Sequence, residues 1–454
     1  MCGNSLRKSD RTRSAGFVCC AVLAGVLAGG VRPVAAVLPP GNTVAQWNQI
    51  TEDTVVGSGA FQNEGLIYMG YVSAAVYNAA VAINHGHALC GAGVYAAQGA
   101  SLNAAVIEAA YHTLVNYFPL QTTTLYAAYT EALALVPDGI AKSNGQAVGL
   151  AAATALILSR TGDGRLTPIG VTSSFPTRTP GPGVWRLTPP AYAAPQTPWV
   201  GAVRPFILND ANRFLPGPPP ALTSPTWVRA FRDIQLYGSA TSTVRTPEQT
   251  AIAEFWTANV IRQYNRVVRD LASARNLSRL ETSRLAAMVN VIGADAQISV
   301  MRAKYHYLFW RPVTAIDPTS VSPAGDGFGP VPGFDDGNSG TVEQPGWRPL
   351  ITTPNHPEYP AAHGSLTAAM SEVFSNFLRT DRININVHGF DATGAVGNLD
   401  AVQHFERAAD LRSQIIDARF WSGLHYRFSS ETAVTLGRQV ADYDLKHAFQ
   451  EVEH

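Results

Sequence analysis

Five side chains in the second half of this 454-residue sequence can hold and transform an anion: Lys304, Arg311, His363, Arg419 and His425. Lys304 and Arg311 lie in KYHYLFWRP, where both cations sit among aromatic residues. The chain holds four lysines against 29 arginines, so a lysine in this setting stands out. Stacking on the aromatics, or pairing with carboxylates, is the purely structural alternative. His363 lies in TPNHPEYPAAHGSLTAAM, where Pro360 suits the first turn of a helix running to Phe377. The amides of Ala361, Ala362, His363 and Gly364 would then stand at a helix N-terminus, a ready anion site, and the small side chains would let a ligand approach. A histidine near that positive dipole end should be neutral, as a general base requires, although a capping or core histidine fits too. Arg419 and His425, in ARFWSGLHYRF, are spaced about 120° off one face of an ideal helix. The long arginine side chain and a backbone loosened at Ser422-Gly423 would let them meet; a surface arginine and a packed histidine are the alternative. Together, three cations, helix amides and two imidazoles suit a tetrahedral or trigonal oxyanion such as phosphate or vanadate. Arginine forks bind oxygens in pairs and lysine acts as a point charge. One imidazole can attack or ligate the central atom while the other moves protons.

Helices must position these groups. Apolar spacing predicts helices over Asn63–Asn84, Leu102–Tyr117, Thr123–Leu135, Gly145–Ser159 and Leu280–Lys304. Thr246-Pro247-Glu248-Gln249 is a well-formed helix start. The uncharged run Gly65–Asn84 is long enough to raise the membrane question, but its Gly, Tyr, Ser and Asn residues favour a buried bundle helix. Between the helical halves, roughly Thr161–Thr226 is dense in proline, which excludes long helices and central strands. Its aromatics Phe175, Trp185, Tyr192, Trp199 and Phe206 suggest a packed belt. No alternating strand run and no internal repeat stand out. The fold class expected is all-α: a bundle over 37–160, a proline-rich connector over 161–225 and a second bundle over 226–454 that carries the oxyanion site.

Composition narrows the function classes. With 33 basic and 33 acidic residues the formal charge is zero, which removes the electrostatic case for nucleic acid or a polybasic membrane surface. A 46% hydrophobic content is enough for a large core. Residues 1–36 read as a signal peptide, with Lys8, Arg11 and Arg13 ahead of an uncharged stretch and small residues near Ala36; an uncleaved anchor is the alternative. Cleavage would leave Cys90 alone, so no intramolecular disulfide framework is expected. The chain is accordingly expected to be secreted or extracytoplasmic, without a multi-span membrane domain.

At the five chemical residues and their neighbours the sequence resembles the vanadium-dependent haloperoxidases, which share a superfamily with type 2 phosphatidic acid phosphatases and bacterial acid phosphatases. The pattern is K-x6-R-P, P-S-G-H and S-R-x5-H. Lys304 to Arg311-Pro312 matches the first fully, Pro360-Ala361-Ala362-His363 matches the second at Pro and His, and Arg419 with His425 matches the third behind Ala418. The likeness is strongest from about Arg245 to Asp444. It implies that His425 binds vanadium, or is the phosphorylated nucleophile of a phosphatase. Lys304, Arg311, Arg419 and the Gly364 amide would hold the oxygens of the vanadate cofactor, and phosphate could occupy the same site. His363 would be the acid/base, with Lys304 polarising a bound hydrogen peroxide for attack by halide. A homo-oligomer is a further expectation by resemblance.

The departures also carry expectations. Ala361 replaces a serine whose hydroxyl would bond the anion, at a loss of about 1–3 kcal/mol. Ala362 replaces a glycine. Ser429 stands four residues after His425, where phosphatase relatives have an aspartate that orients the histidine. Without a carboxylate His425 would be a poorer nucleophile yet still a neutral metal ligand, which tilts the reading toward a haloperoxidase, though Glu431 or a carbonyl could substitute. His356 falls where halide is tuned and, by resemblance to algal bromoperoxidases, favours bromide or iodide; a plain turn histidine before Pro357 is the alternative. The expected function is a vanadate-dependent haloperoxidase acting on hydrogen peroxide and halide. The alternatives are a phosphomonoesterase using a phosphohistidine, or a non-catalytic oxyanion-binding protein. The Asp335-Asp336-Gly337-Asn338 loop reads as a solvated turn more than a calcium site.

Overall fold

Several helix starts are written into their first residues. Ser101, Ser224, Thr246 and Ser278 each accept a backbone amide three positions on, and Gln249 and Glu281 close reciprocal capping boxes. The computed structural model describes residues 38–91, 93–167, 181–320, 335–389 and 401–452. The leader expected over 1–36, and with it Phe175, lie outside them.

The architecture is all-α apart from one small sheet. The first half contributes α1 (Thr43–Gly57), α2 (Gln62–Asn84), α3 (Leu102–Tyr117), α4 (Thr122–Ala134) and α5 (Ile140–Ser159). The second contributes α6 (Pro225–Tyr237), α7 (Pro247–Phe255), α8 (Val260–Ala274), α9 (Arg279–Tyr307), α10 (Pro312–Ile316) and α11 (Ala362–Leu378). After the strands β1 (Ile385–Gly389) and β2 (Ala401–Phe405) come α12 (Ala408–Trp421) and α13 (Arg427–His447). Helix α2 is apolar all round because α1, α3 and α5 surround it and α9 completes the enclosure. It alone among the described residues is long and apolar enough to cross a membrane, and 94% of its most apolar stretch is buried inside the fold. The α2–α9 contact also joins the halves into one core.

Three expectations need correction. Helix α5 begins at Ile140, ahead of Gly145. Helix α11 begins at Ala362 with Ala361 as its N-cap, so Pro360 precedes the first turn rather than opening it. The sheet was not anticipated, yet Ile385, Val387 and Gly389 point inward while Asn386 is exposed, pairing antiparallel from Ile385 with Phe405 to Gly389 with Ala401. Five residues with Asn and His on the outer face give a weak alternation signal.

The described part of the proline-rich segment is packed, as its aromatics suggested. Trp185 donates its amide to Leu308 (2.7 Å), Trp310 to Gly183 (3.2 Å) and Gln196 to Asn355 (2.8 Å), so the segment braces both motif loops. It is pinned to α9 by Asp295, which accepts the amides of Phe206, Ile207 and Leu208 at 2.7–3.0 Å. Asp444 of α13 is fully buried against the same carboxylate. Burial, then the charge of Asp295, hold its pKa far above the ordinary carboxylate value, so it is protonated in the folded chain. The folded state therefore keeps a proton that the unfolded chain releases near pH ~4, and stability falls as pH rises above that value. Asp444→Asn removes the titration. Its melting temperature relative to the parent chain should climb steadily from pH 5 to pH 8, and parallel curves over that range would sink the assignment.

Candidate functional site

Four helix ends converge on one buried cluster. Lys304 lies in the last turn of α9 and Arg419 in the last turn of α12, the ends that favour cations. His363 lies in the first turn of α11, and His425 stands just ahead of α13. Helix α12 ends at Trp421, and just beyond it Gly423 takes φ +76°, where an added Cβ would strike Gly238 and Pro349. Arg419 and His425 thus meet across a helix terminus, with the His425 amide donating to the Arg419 carbonyl at 3.2 Å.

The cations are held mainly by carbonyls. Lys304 Nζ donates to the carbonyls of Pro357 (2.8 Å) and Glu358 (2.9 Å). Arg311 donates to the carbonyls of His356 (2.9 Å) and Leu424 (3.0 Å), and its Nη1 lies 3.1 Å from His425 Nε2. Arg419 reaches the Trp256 carbonyl at 3.4 Å, and its Nε is buried without a partner. The aromatics flanking Lys304 and Arg311 pack on other rings, Trp310 stacking 5.9 Å from Trp227 and Tyr307 meeting Tyr359 at 5.3 Å. The His356 ring faces Arg311 Nη2, with Nδ1 at 3.0 Å, so it buttresses that guanidinium.

One residue escaped notice in the sequence. Glu358, fully buried, holds His425 Nδ1 at 2.9 Å and accepts the Tyr426 amide at 3.1 Å, both on Oε1. The expectation that His425 lacks a carboxylate is therefore wrong, and the tilt built on Ser429 falls with it. Glu358 supplies that carboxylate from the other motif loop, with Ser429 beside it, while Glu431 is exposed. The signal was a lone acidic residue in the short run Pro357–Ala362.

Gly364 also differs in role. An added Cβ would press on Ala433 and the Ser430 carbonyl at 3.0 and 3.1 Å, so its smallness serves the packing of α11 on α13. Its amide, with those of Ala362 and His363, has the free position expected of a first helical turn, whereas the Ala361 amide is taken by the Ser429 carbonyl. His363 Nε2 is buried without a partner, although the residue as a whole is only part-buried.

The electrostatics point one way. Burial and then Arg311 push the Lys304 pKa well below its ordinary value, and burial lowers Arg311 to about 10 and Arg419 to about 9. Burial raises Glu358 to about 7 against the pull of Lys304 and Arg311. His356, His363 and His425 are all driven down by burial and then by these cations, so they are neutral. The neutrality expected of His363 is present, with burial as its leading cause. Three basic side chains face one carboxylate in a nearly dry site, an imbalance that an oxyanion would relieve. The donor set fits vanadate: cations and amides for its oxygens and a neutral imidazole nitrogen for the metal. By contrast, Asp335 and Asp336 are spent on local amides, Thr341 and Trp227, as a turn requires.

Comparison with known proteins gives the same picture. Residues 284–454 match the family described as the VCPO second helical-bundle domain. The crystal structure of the first bacterial vanadium-dependent iodoperoxidase superposes with a TM-score of 0.72, covering 91% of this chain and 99% of that one at 20% identity. The chain has the vanadium haloperoxidase fold. An apo-type bacterial vanadium-dependent chloroperoxidase gives a TM-score of 0.63 at 18% identity, covering 84% of this chain and 94% of that one. Vanadium chloroperoxidase of Curvularia inaequalis is 23% identical over 290 residues, 52% of this chain. The match spans 46% of that relative's length. The likeness thus covers the fold and the C-terminal bundle, while the motif departures belong to this chain.

Ala361 is the most instructive departure, being fully buried and the N-cap of α11 without a side-chain hydrogen bond. A serine hydroxyl there would cap the free amides. Ala361→Ser should stabilise the anion-free chain by about 0.5–2 kcal/mol in urea unfolding. An unchanged or lowered midpoint would mean that those amides are already satisfied.

Proposed function

We propose that the chain is a vanadate-dependent haloperoxidase that oxidises bromide or iodide with hydrogen peroxide. What carries the reading is the buried surplus of basic side chains around the His425 Nε2 lone pair. Vanadate, when bound, supplies a Lewis acid that activates peroxide without changing oxidation state. His425 Nε2 would take the metal, exchanging its contact with Arg311 for that bond. Lys304, Arg311 and Arg419 would neutralise the oxygens, with the α11 amides beside them. Lys304, released from its two carbonyls, polarises peroxide. His363, neutral and with Nε2 free, accepts and returns the proton. The surrounding burial favours small reactants: Lys304, Arg311, His356, Glu358, Arg419 and His425 are each at most 4% exposed, which suits halide and peroxide better than a bulky ester. His356, behind Arg311, would act on halide choice through that guanidinium. The leader composition supports a secreted or extracytoplasmic setting.

A phosphomonoesterase is the second reading, favoured by the Glu358–His425 pair, which resembles the support of a nucleophilic histidine. Vanadate separates the two. In the anion-stripped full chain, added orthovanadate should switch on peroxide-dependent bromination of a dye, and His425→Ala should abolish it. Hydrolysis of a chromogenic phosphomonoester that vanadate blocks would transfer the residues to a phosphatase. Silence in both assays would leave an oxyanion-binding protein.

A further inference from the structure

The Glu358 carboxylate oxygen Oε1 receives two groups, the Tyr426 backbone amide at 3.1 Å and His425 Nδ1 at 2.9 Å. The amide is an obligate donor, so Oε1 accepts there, and as a carboxylate oxygen it offers a further lone pair to Nδ1. At the far side of the ring, Nε2 faces Arg311 Nη1 at 3.1 Å, and a guanidinium only donates. A donor fixed at Nε2 and a carboxylate acceptor at Nδ1 leave a neutral His425 a single consistent tautomer, with hydrogen on Nδ1 and the lone pair on Nε2.

We propose that Glu358 is a positioning residue that locks this tautomer and aims the Nε2 lone pair into the anion site. Its own backbone makes it a rigid post: the Glu358 amide donates to Phe309 (2.8 Å) and its carbonyl accepts from Lys304 Nζ (2.9 Å). The side chain is fully buried, so water cannot substitute for the carboxylate. One residue therefore registers the Lys304 helix end, the Arg311 loop and the His425 loop against each other. Without the carboxylate the Nδ1 hydrogen is buried unpaired and only Arg311 still favours the Nε2 lone pair, so a ring that takes hydrogen on Nε2 becomes accessible and presents a proton to the anion site in place of a lone pair. The proposal rests on His425 being the residue that meets the oxyanion, not on any turnover.

The test reads the ring directly. Long-range proton–nitrogen correlation on the anion-free, histidine-labelled full chain, with His425→Gln to assign the signal, should show Nδ1 protonated and Nε2 bare. Glu358→Gln should keep that pattern, because the Tyr426 amide turns the glutamine carbonyl toward the ring. Glu358→Leu leaves Arg311 alone to oppose hydrogen on Nε2, so that tautomer should appear in a measurable fraction of the chains, and calorimetry should show orthovanadate and inorganic phosphate bound about 10–100-fold more weakly. Should the leucine variant not fold, Glu358→Asp, which withdraws the oxygen by one methylene, is expected to behave the same way. Hydrogen on Nε2 in the parent chain or in Glu358→Gln would overturn the proposal. So would a folded leucine or aspartate variant that keeps the parent tautomer and affinities. Because neither readout needs peroxide, halide or an ester, a chain inactive in every assay can still pass or fail it.

Discussion

Three basic side chains taken out of water with one carboxylate for company set the terms for this structure. Burying an ion costs several kcal/mol even after relaxation, and the usual remedy is a partner of opposite charge. The chain uses that remedy elsewhere: Arg160 pairs with Asp163 at 2.8 Å, and Arg269 with Glu52 at 2.7 Å. At Lys304, Arg311 and Arg419 it uses backbone carbonyls instead. Carbonyls satisfy N–H groups without cancelling their charge, so the surplus remains for whatever enters. A site built with three carboxylates would be more comfortable alone and useless to an anion.

Such a site needs rigid positioning, and the fold obtains it from helix ends. The carboxyl ends of α9 and α12 present Lys304 and Arg419, and the amino end of α11 presents its amides. Dipoles favour a cation at the first kind of terminus and an anion at the second, so backbone and side chains favour the same arrangement. The proline-rich segment holds the loops between these helices. Its missing amides and fixed φ suit irregular bracing, and it spends the amides it has on Leu308 and on Asp295.

How legible this was in the sequence depended on whether a signal was local. Helix interiors and caps are local, so α3 and the Thr246 capping box could be read directly. The cationic triad and the two histidines were legible because their spacing belongs to a known pattern. Glu358 was not, since its meaning lies in a partner 67 positions away and in complete burial, neither of which the sequence prints. The smallness of Gly364 was ambiguous for the same reason: it says that something comes close, and only packing says that the side-chain face meets α13. The sheet failed on length, five residues being too few for alternation to stand clear of chance.

Two of the departures from the superfamily pattern, at Ser429 and at Ala361, are not equivalent losses. At Ser429 the missing carboxylate is replaced in space by Glu358, so His425 keeps an acceptor behind its ring. At Ala361 nothing replaces the hydroxyl, but that hydroxyl would stand at an N-cap, where its nearest donors are the amides of α11. A serine can accept from those amides or turn its proton to the anion, and each amide it engages is one the anion does not meet. Alanine removes the competitor along with the donor. The cradle then depends less on neutral hydroxyl contacts and more on charge and backbone dipole, both of which act on any compact oxyanion.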